Sequence, residues 1–168
     1  MTMPRFSNYN HHEDRRGAHQ KFLGDNVTGS WLPGFQAVES FMTVNEPDVV
    51  RGMHFQKDFP QQKLISLIEG RAIVNIVKVD GSGEVHTALL EADSFGSAFC
   101  PAGYAIGYRT LEPTKVLYLA DAPFVADDDT GFDPLQFDWT LNGAYPLSDP
   151  ILSPRDATLP TLQKDNDD

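Results

Sequence analysis

The sequence lacks the features that mark exported or membrane-spanning proteins. Its 168 residues include a single cysteine, Cys100, so no disulfide can form within the chain, which is typical of a reducing compartment. No apolar run approaches the roughly 20 residues that a membrane-spanning helix needs. The first residues contain no apolar segment of the kind found in secretory signals. We therefore expect a cytoplasmic protein without a membrane partner.

Positive charge is also scarce. The chain has 13 Lys and Arg against 24 Asp and Glu, which gives a formal net charge of −11 at pH 7. Such a surface repels the phosphates of nucleic acids and anionic membranes, so neither is expected as a partner. A small anionic ligand is not excluded, because a few local cations decide its binding.

Helical periodicity is missing as well. Short runs rich in β-branched and aromatic residues alternate instead with turn signals rich in Gly, Pro and Asp. The runs include VVRGMHF, KLISLI, AIVNIVKV, AIGYRT and KVLYLA. This pattern predicts an all-β sandwich or jelly roll. We find neither an internal repeat nor a linker, and we expect residues 1–168 to form one domain with flexible ends at 1–13 and 163–168.

A metal centre is the first kind of site to test. Metal-binding jelly rolls of the cupin type often carry a His-x-His pair on one strand and a later His beyond Pro-x-Gly. Here the strand reads His54-Phe55-Gln56, and Ile106 stands at the later position. A lone imidazole does not hold zinc or iron, so we expect no metal. The acidic run at 127–129 lacks the ligand spacing of a calcium loop and is expected to be solvated.

The residues around RGMHFQ, at 51–56, suit proton transfer instead. His54 can accept a proton near neutral pH, and Lys63 on the next strand can stabilise an oxyanion. Tyr118, in VLYLADAPF, offers a phenol as an acid, and Asp156, in LSPRDA, can hold an imidazole in one tautomer. Each has an ordinary structural alternative. A tyrosine on an apolar strand usually belongs to the core with its hydroxyl satisfied, and Asp156 has the context of a turn residue.

The spacing of Arg51 and His54 requires a local irregularity if both are to face one ligand. Residues three positions apart on a flat strand point to opposite faces. Gly52 lies between them and permits a β-bulge. We therefore predict that a bulge at Gly52 turns both side chains inward.

These motifs and their order resemble the dTDP-4-dehydrorhamnose 3,5-epimerase family, which are metal-free cupins that act as homodimers. The resemblance extends from about Asp14 to Leu162. It is carried by Arg16-Gly17, RGMHFQ, QKLISLIEG at 62–70, PAGYAIGY at 101–108, VLYLADAPF at 116–124 and LSPRDATLPTL at 152–162. It implies a cupin-type jelly roll, a homodimer, a nucleotide-diphosphate sugar as substrate and no cofactor.

The resemblance also implies a role for each matching residue. His54 would be the base and Asp156 its orienting partner, while Tyr118 would donate a proton on the opposite face of the sugar. Lys63 would lie near the 4-keto oxygen. The substrate-binding positions would be Arg51, Gln56, Phe124, His19, Lys21 and Arg16, the last reaching in from a neighbouring subunit.

The chemistry agrees with these roles. Protons at C3 and C5 of a 4-keto sugar are acidified by the carbonyl, and their removal gives an enolate that a cation stabilises. Reprotonation from the other face inverts the carbon centre. We therefore expect an epimerase of a nucleotide-linked 4-keto sugar that acts at C3, C5 or both. A 3,4-ketoisomerase and a non-catalytic sugar-nucleotide-binding protein remain as alternatives.

The sequence departs from the family where the ligand is recognised. Ile106 replaces a histidine near the keto oxygen, and Phe124 replaces a tyrosine that stacks on the ligand. Lys21 replaces an acidic residue that contacts the base, and a Gln-x-Asn pair becomes Glu39 and Phe41. The proton-transfer positions are kept, so the departures indicate a different nucleotide or sugar.

Overall fold

The computed structural model describes residues 3–7, 12–19, 32 and 34–163. In chain order the strands are β1 Arg5–Ser7, β2 His12–Asp14, β3 Gly17–His19, β4 Glu39–Asn45, β5 Val50–Gln56, β6 Lys63–Glu69, β7 Arg71–Lys78, β8 Val85–Glu91, β9 Ser97–Cys100, β10 Tyr104–Thr110, β11 Thr114–Ala120 and β12 Asp129–Gly131. The helical elements in the described residues are single 3-10 turns at Ala92–Ser94, Ala126–Asp128, Pro134–Gln136 and Asp156–Thr158.

The strands form two five-stranded antiparallel sheets and one hairpin. The first sheet has the order β1-β9-β6-β11-β4, the second has the order β12-β5-β10-β7-β8, and β2 pairs with β3. The predicted all-β jelly roll is confirmed. None of the helical turns in the described ranges is long and apolar enough to cross a membrane.

A core lies between the two sheets because alternate residues of each strand point inward. The first sheet contributes Ile65 and Val116, and the second contributes Val74 and Ile106. These side chains are at most 5% exposed. The inner faces change from apolar to polar towards one end, where Lys63 continues the inward row of β6. The functional residues are therefore mounted on strands whose other positions are fixed by packing.

The outer face of the second sheet is covered by the chain that follows β12. Arg109, 3% exposed, forms an ion pair with Asp48 at 2.6 Å. Its guanidinium also donates to the carbonyls of Trp139 at 2.8 Å, Tyr145 at 2.7 Å and Pro146 at 2.9 Å. One buried side chain thus satisfies several backbone acceptors and holds the C-terminal segment against the sheet.

The predicted bulge is present between β5 and β10. His54 pairs with Ile106 and Arg51 pairs with Tyr108, so a three-residue step on β5 opposes a two-residue step on β10. Gly52 has φ of 120°, and a Cβ built on it would lie 2.5 Å from the Cα of Gly107. The two backbones approach this closely only because both positions are glycine.

Part of the N-terminal end lies on the first sheet. Arg5–Ser7 pair with residues 97–99 of β9 and so extend that sheet. His12–Asp14 form one strand of the hairpin. Residues 1–2, 8–11 and 164–168 lie outside the described residues, and the flexibility expected at 1–13 and 163–168 stays a prediction.

Replacing Gly52 by Ala should destabilise the protein more than replacing Gly103 by Ala. Both glycines have a positive φ, so each alanine carries a conformational cost of about 1–2 kcal/mol. A Cβ at Gly103 meets nothing within 4 Å, whereas one at Gly52 overlaps the backbone of Gly107. The free energy of unfolding of both variants can be measured by urea denaturation. Equal losses would contradict the close approach of β5 and β10.

Candidate active site

A cavity of about 420 Å³ opens at one end of the jelly roll, between the two sheets. Its wall contains six residues that the sequence analysis assigned to the site: Arg51, His54, Lys63, Tyr118, Phe124 and Asp156. They come from β5, β6, β11 and the segments after β11 and β12, which are far apart in the chain. The fold therefore brings together most of the predicted catalytic and binding positions.

His54 and Asp156 form a hydrogen-bonded pair. The Nε2 atom of His54 lies 2.7 Å from Oδ1 of Asp156, whose carboxylate is buried and also faces the backbone N–H of Gly52 at 3.4 Å. An ionised carboxylate accepts, so Nε2 carries the ring proton and Nδ1 is the nitrogen that can take up a proton. Burial alone would raise the pKa of Asp156, but hydrogen bonds from His54, Gly52 and Ser153 and the charge of the imidazole outweigh it and lower the pKa.

A second ion pair places Asp156 beside His54. Arg155, the preceding residue, binds the carboxylate of Asp129 at 2.6 Å and donates to its backbone carbonyl at 3.1 Å. Asp129 lies on β12, opposite Gln56 of β5, which is the strand that carries His54. The 3-10 turn at Asp156–Thr158 is therefore tied to the strand that carries His54 both by Asp156 itself and by Arg155.

Lys63 enters the cavity from the other sheet. It continues the inward row of β6, opposite Cys100 of β9. Burial is the main influence on its ammonium and lowers its pKa, against smaller opposing effects of nearby acidic groups. Among the described residues, no side chain or carbonyl is within hydrogen-bonding or ion-pairing distance of its ammonium. The charge is thus held ready for an oxygen of a ligand.

Tyr118 lies on the same sheet as Lys63 and faces the sheet that carries His54. Its ring stacks on Phe41 of β4, with centroids 4.3 Å apart and planes 13° apart. Burial, followed by the charge and hydrogen bonding of Tyr108, raises the pKa of Tyr118 well above the ordinary value of a phenol. The hydroxyl therefore keeps its proton at neutral pH and can act as an acid.

Arg51 is the second cation of the cavity wall. Its Nε donates to Oδ1 of Asn45 at 2.7 Å, and Asn45 is 4% exposed. In the part of the chain that the structure describes, its terminal NH₂ groups have no protein acceptor. A guanidinium oriented through Nε presents these two groups to an anionic ligand, with the fork geometry that suits phosphate oxygens.

The structure uses Gln56 differently from the predicted substrate contact. The residue is 3% exposed and does not line the cavity. Its Oε1 accepts from the N–H of Val125 at 2.5 Å, and its Nε2 donates to the carbonyl of Phe59 at 3.0 Å. Both bonds hold loops near the mouth of the cavity, so Gln56 supports the shape of the site without facing the cavity.

Two further predicted contacts lie away from the cavity of their own chain. Arg16 is at the tip of the β2–β3 hairpin, with a side chain that is 90% exposed and paired with Asp14. His19, on β3, is exposed as well. Lys21 lies outside the described residues.

The two family departures nearest the chemistry both lie on the wall. Ile106 is 5% exposed and directly opposite His54 in the β5–β10 register. Phe124 is 51% exposed at the edge of the cavity, and its N–H is fixed by Oε2 of Glu39 at 2.6 Å. Lining residues to which the sequence analysis gave no role are Thr43, Gln61, Asp129, Ser153 and Arg155. Ser153 and Arg155 lie in the LSPRDA motif beside Asp156, so these two had a signal in the sequence.

Two carboxylates of the acidic run at 127–129 hold neighbouring segments of the chain together. The carboxylate of Asp128 accepts the N–H groups of Asp58 at 2.8 Å and Phe59 at 2.9 Å, and Asp129 pairs with Arg155. In the described ranges no three His, Cys, Asp or Glu side chains are grouped as metal ligands would be.

Fold and site together are those of a jelly-roll protein suited to removing and returning protons on carbon. The imidazole and the phenol line one cavity from different sheets, and an ammonium of the kind that stabilises oxyanions lies in the same wall.

The comparisons with known proteins name this class. The family model described as dTDP-4-dehydrorhamnose 3,5-epimerase matches residues 5–164, and the chain belongs to that family. It is therefore an isomerase that epimerises nucleotide-linked keto sugars. The predicted family, fold and enzyme class are confirmed.

Solved structures agree with this assignment. The dTDP-4-dehydrorhamnose 3,5-epimerase of Bacillus anthracis, with TDP and PPi bound, is 29% identical, with 95% of this chain and 94% of that chain covered and a TM-score of 0.80. The enzyme of Elizabethkingia anophelis is 25% identical, with 94% and 90% covered and a TM-score of 0.78. A 3'-monoepimerase of Streptomyces bikiniensis, 21% identical, with 95% and 83% covered and a TM-score of 0.74, shares the fold. No curated protein sequence matches the chain.

Replacing Lys63 by Met should stabilise the protein while it abolishes most of the activity. A desolvated ammonium without a partner destabilises the native state, and Met fills a similar volume without charge. Because the folded-state pKa of Lys63 lies below its unfolded value, the penalty is fully present at pH values below the folded-state pKa. It falls as the pH rises through the folded-state pKa towards the ordinary lysine value.

Thermal unfolding of wild type and Lys63→Met between pH 7 and pH 10 measures this difference. The exposed Lys57 provides the control, since Lys57→Met should change neither melting temperature nor activity appreciably. A Lys63→Met variant less stable than wild type at pH 7 would show that the ammonium is compensated within the protein.

Proposed function

We propose that this protein inverts C3, C5 or both of a nucleoside-diphosphate-linked 4-keto sugar, with His54 as the base and Tyr118 as the acid. The observation that carries the proposal is the placement of these groups on facing sheets, with the cavity between them. A sugar ring in the cavity then presents one face to the imidazole and the other to the phenol. Removal and return of a proton on opposite faces is what inversion of a carbon centre requires.

The reaction starts when Nδ1 of His54 takes the proton from the carbon next to the keto group. Asp156, bound to Nε2, stabilises the imidazolium that results. The electron pair of the broken C–H bond moves towards the keto oxygen, and the Lys63 ammonium stabilises the enolate. The electrons then return, and the carbon takes the proton of Tyr118 on the opposite face. The Tyr118 phenolate then takes a proton from solvent, and the His54 imidazolium gives its extra proton to solvent, which restores both groups.

The cations of the cavity wall are suited to binding the diphosphate group of the substrate. Arg51 offers two terminal NH₂ groups without a partner among the described residues. Arg155 also lines the cavity, but its charge is matched by Asp129. TDP is bound in the Bacillus anthracis relative, and we propose that a nucleoside diphosphate is the corresponding group here. The changes at Lys21, Phe41 and Phe124 indicate that this chain differs from its family in the nucleobase and the sugar that it recognises.

We also propose that the working unit is a homodimer, located in the cytoplasm. The outer face of the first sheet exposes Met42 and Val44 on its edge strand β4 and Ile68 on β6, each more than half exposed. The β2–β3 hairpin carries Arg16 outwards, away from its own cavity. A second copy that covers the apolar face and receives the hairpin would bring a further cation to the diphosphate. The single cysteine, Cys100, is buried, which fits a chain without disulfides.

The exchange of protons with solvent tests the assignment of the base and the acid. In D₂O, a 4-keto sugar nucleotide incubated with the wild-type protein should acquire deuterium at C3 or C5. His54→Asn should abolish this incorporation, because general-base catalysis is worth roughly 10²–10⁴-fold. Tyr118→Phe should keep incorporation but lose most of the inversion, and Asp156→Asn should lower both. NMR of the recovered sugar measures incorporation and configuration together.

His86→Asn is the matched control for the base. His86 also binds a carboxylate, Glu84, at 2.7 Å, but it does not line the cavity, so its replacement should leave exchange unchanged. Full incorporation by His54→Asn would mean that the base lies elsewhere. Tight binding without exchange by the wild type would favour a sugar-nucleotide-binding protein, and a product with the keto group moved to C3 would favour a 3,4-ketoisomerase.

The dimer is tested by light scattering and by substitution of the hairpin. The wild type should have the mass of two chains at micromolar concentration. Arg16→Ala should remain dimeric but raise KM several-fold with little change in kcat, since a phosphate contact supports binding of substrate and transition state alike. Met42→Glu should weaken the dimer, because it places a charge on the apolar face. A monomeric wild type with full activity would overturn this arrangement.

A further inference from the structure

The cavity wall contains a buried glutamine to which the mechanism above gives no role. Gln61 lies two residues before Lys63, in the segment that leads into β6. The residue lines the cavity although it is only 7% exposed. Buried amides are normally hydrogen-bonded through both their nitrogen and their oxygen, so an unoccupied end of this one indicates what it can still bind.

The orientation of the Gln61 amide is set by its one bond to the protein. Its Nε2 donates to the carbonyl of Ala122 at 2.6 Å. A carbonyl only accepts, so the nitrogen must face Ala122 and Oε1 must face elsewhere. Among the described residues no donor is within hydrogen-bonding distance of Oε1. This oxygen is not sealed inside the protein either, since the one described side-chain atom that is both sealed and unpartnered is Oγ of Ser7.

The backbone around Gln61 is held in place as firmly as its amide. Asp121 donates its N–H to the carbonyl of Gln62 at 3.2 Å, and the N–H of Gln62 donates to Oδ1 of Asp121 at 2.7 Å. These bonds continue the β6–β11 ladder beyond its last pair, Lys63 with Ala120. An acceptor fixed in this way loses little conformational entropy when a ligand binds to it.

Gln61 and Lys63 together offer one acceptor and one donor to the same cavity. A 4-keto sugar presents the complementary pair, because its keto oxygen accepts and the hydroxyl of C3 donates. C3 is the neighbour of the keto carbon that carries a hydroxyl, since C5 carries the ring oxygen and C6. A neutral acceptor suits this place, because a carboxylate beside the ammonium would compete with the keto oxygen for it.

We propose that Gln61 is a specificity-determining residue, whose Oε1 accepts a hydrogen bond from the C3 hydroxyl of the sugar while Lys63 binds the keto oxygen. This inference rests on the proposed function, since it needs the keto oxygen to lie at Lys63. It selects, within the 4-keto sugar nucleotides, those that keep a hydroxyl next to the keto group. The bond to Ala122 is the anchor that holds the amide in its binding orientation.

The test compares two substrates in wild type and in Gln61→Met. The kcat/KM for deuterium incorporation next to the keto group is measured for a 4-keto sugar nucleotide and for its 3-deoxy analogue. Loss of the Ala122 bond affects both substrates alike, so the ratio of the two values isolates the contact with the hydroxyl. The preference for the hydroxyl substrate should fall roughly threefold to tenfold, the effect of one neutral hydrogen bond. The 2-deoxy analogue keeps the C3 hydroxyl and should behave as the hydroxyl substrate does.

Gln62→Met is the matched control, because Gln62 ties the same loop without lining the cavity. Its Nε2 donates to Oδ2 of Asp121 at 2.8 Å. Gln62→Met should leave the preference unchanged, whereas Gln61→Asn, which withdraws the amide by one methylene, should lower it. An unchanged preference in Gln61→Met, or an equal fall in Gln62→Met, would overturn the inference and leave the proposed function standing. A wild-type protein that exchanges protons in neither substrate would overturn both.

Discussion

The contact between the backbones of Gly52 and Gly107 is the constraint on which the site depends. A regular strand would turn either Arg51 or His54 away from the cavity, because alternate residues face opposite sides. The bulge removes this conflict. It can form only where a glycine on one strand meets a glycine on the other, as Gly52 and Gly107 do. It also brings the N–H of Gly52 to the carboxylate of Asp156, so one irregularity orients His54, Asp156 and Arg51 together.

The charges of the site are balanced differently on the two sheets. On the second sheet, His54 is paired with a carboxylate whose own bonds are satisfied, so this half of the site is stable before a ligand arrives. On the first sheet, the Lys63 ammonium is desolvated without a partner among the described residues. A protein retains such a group only where a ligand completes it or where its function requires it. In the proposed mechanism the enolate oxygen would bring a negative charge to the Lys63 ammonium and the diphosphate would bring one to Arg51.

Sequence patterns were sufficient for the strands, for the inward turn at Gly52 and for the grouping of His54, Lys63, Tyr118 and Asp156. The strands and the inward turn were predicted from strand periodicity and turn residues, and the grouping of the four side chains was predicted from the order of the motifs. Long-range side-chain contacts could not be predicted. Gln56 lies two residues after His54 on β5, but nothing near it in sequence shows that the loop at 123–125 occupies its amide.

The same limit applies to the supports of the cations. The bond from Arg51 to Asn45 joins residues on neighbouring segments whose register depends on the whole jelly roll. The pairing of Arg155 with Asp129 likewise depends on where β12 is added to the sheet.

The replacement of the family histidine by Ile106 has a physical consequence beyond the loss of a donor. Ile106 lies opposite His54, and Phe41 stacks on Tyr118, so an apolar side chain stands next to both the base and the acid. Apolar walls exclude water and lower the local dielectric, which strengthens the interaction of the remaining ammonium with a developing oxyanion. The same walls raise the pKa of the phenol, which keeps it protonated until the enolate forms. In the proposed mechanism, Lys63 therefore acts without a second donor but beside more apolar walls, and the two changes oppose each other in their effect on the stability of the enolate.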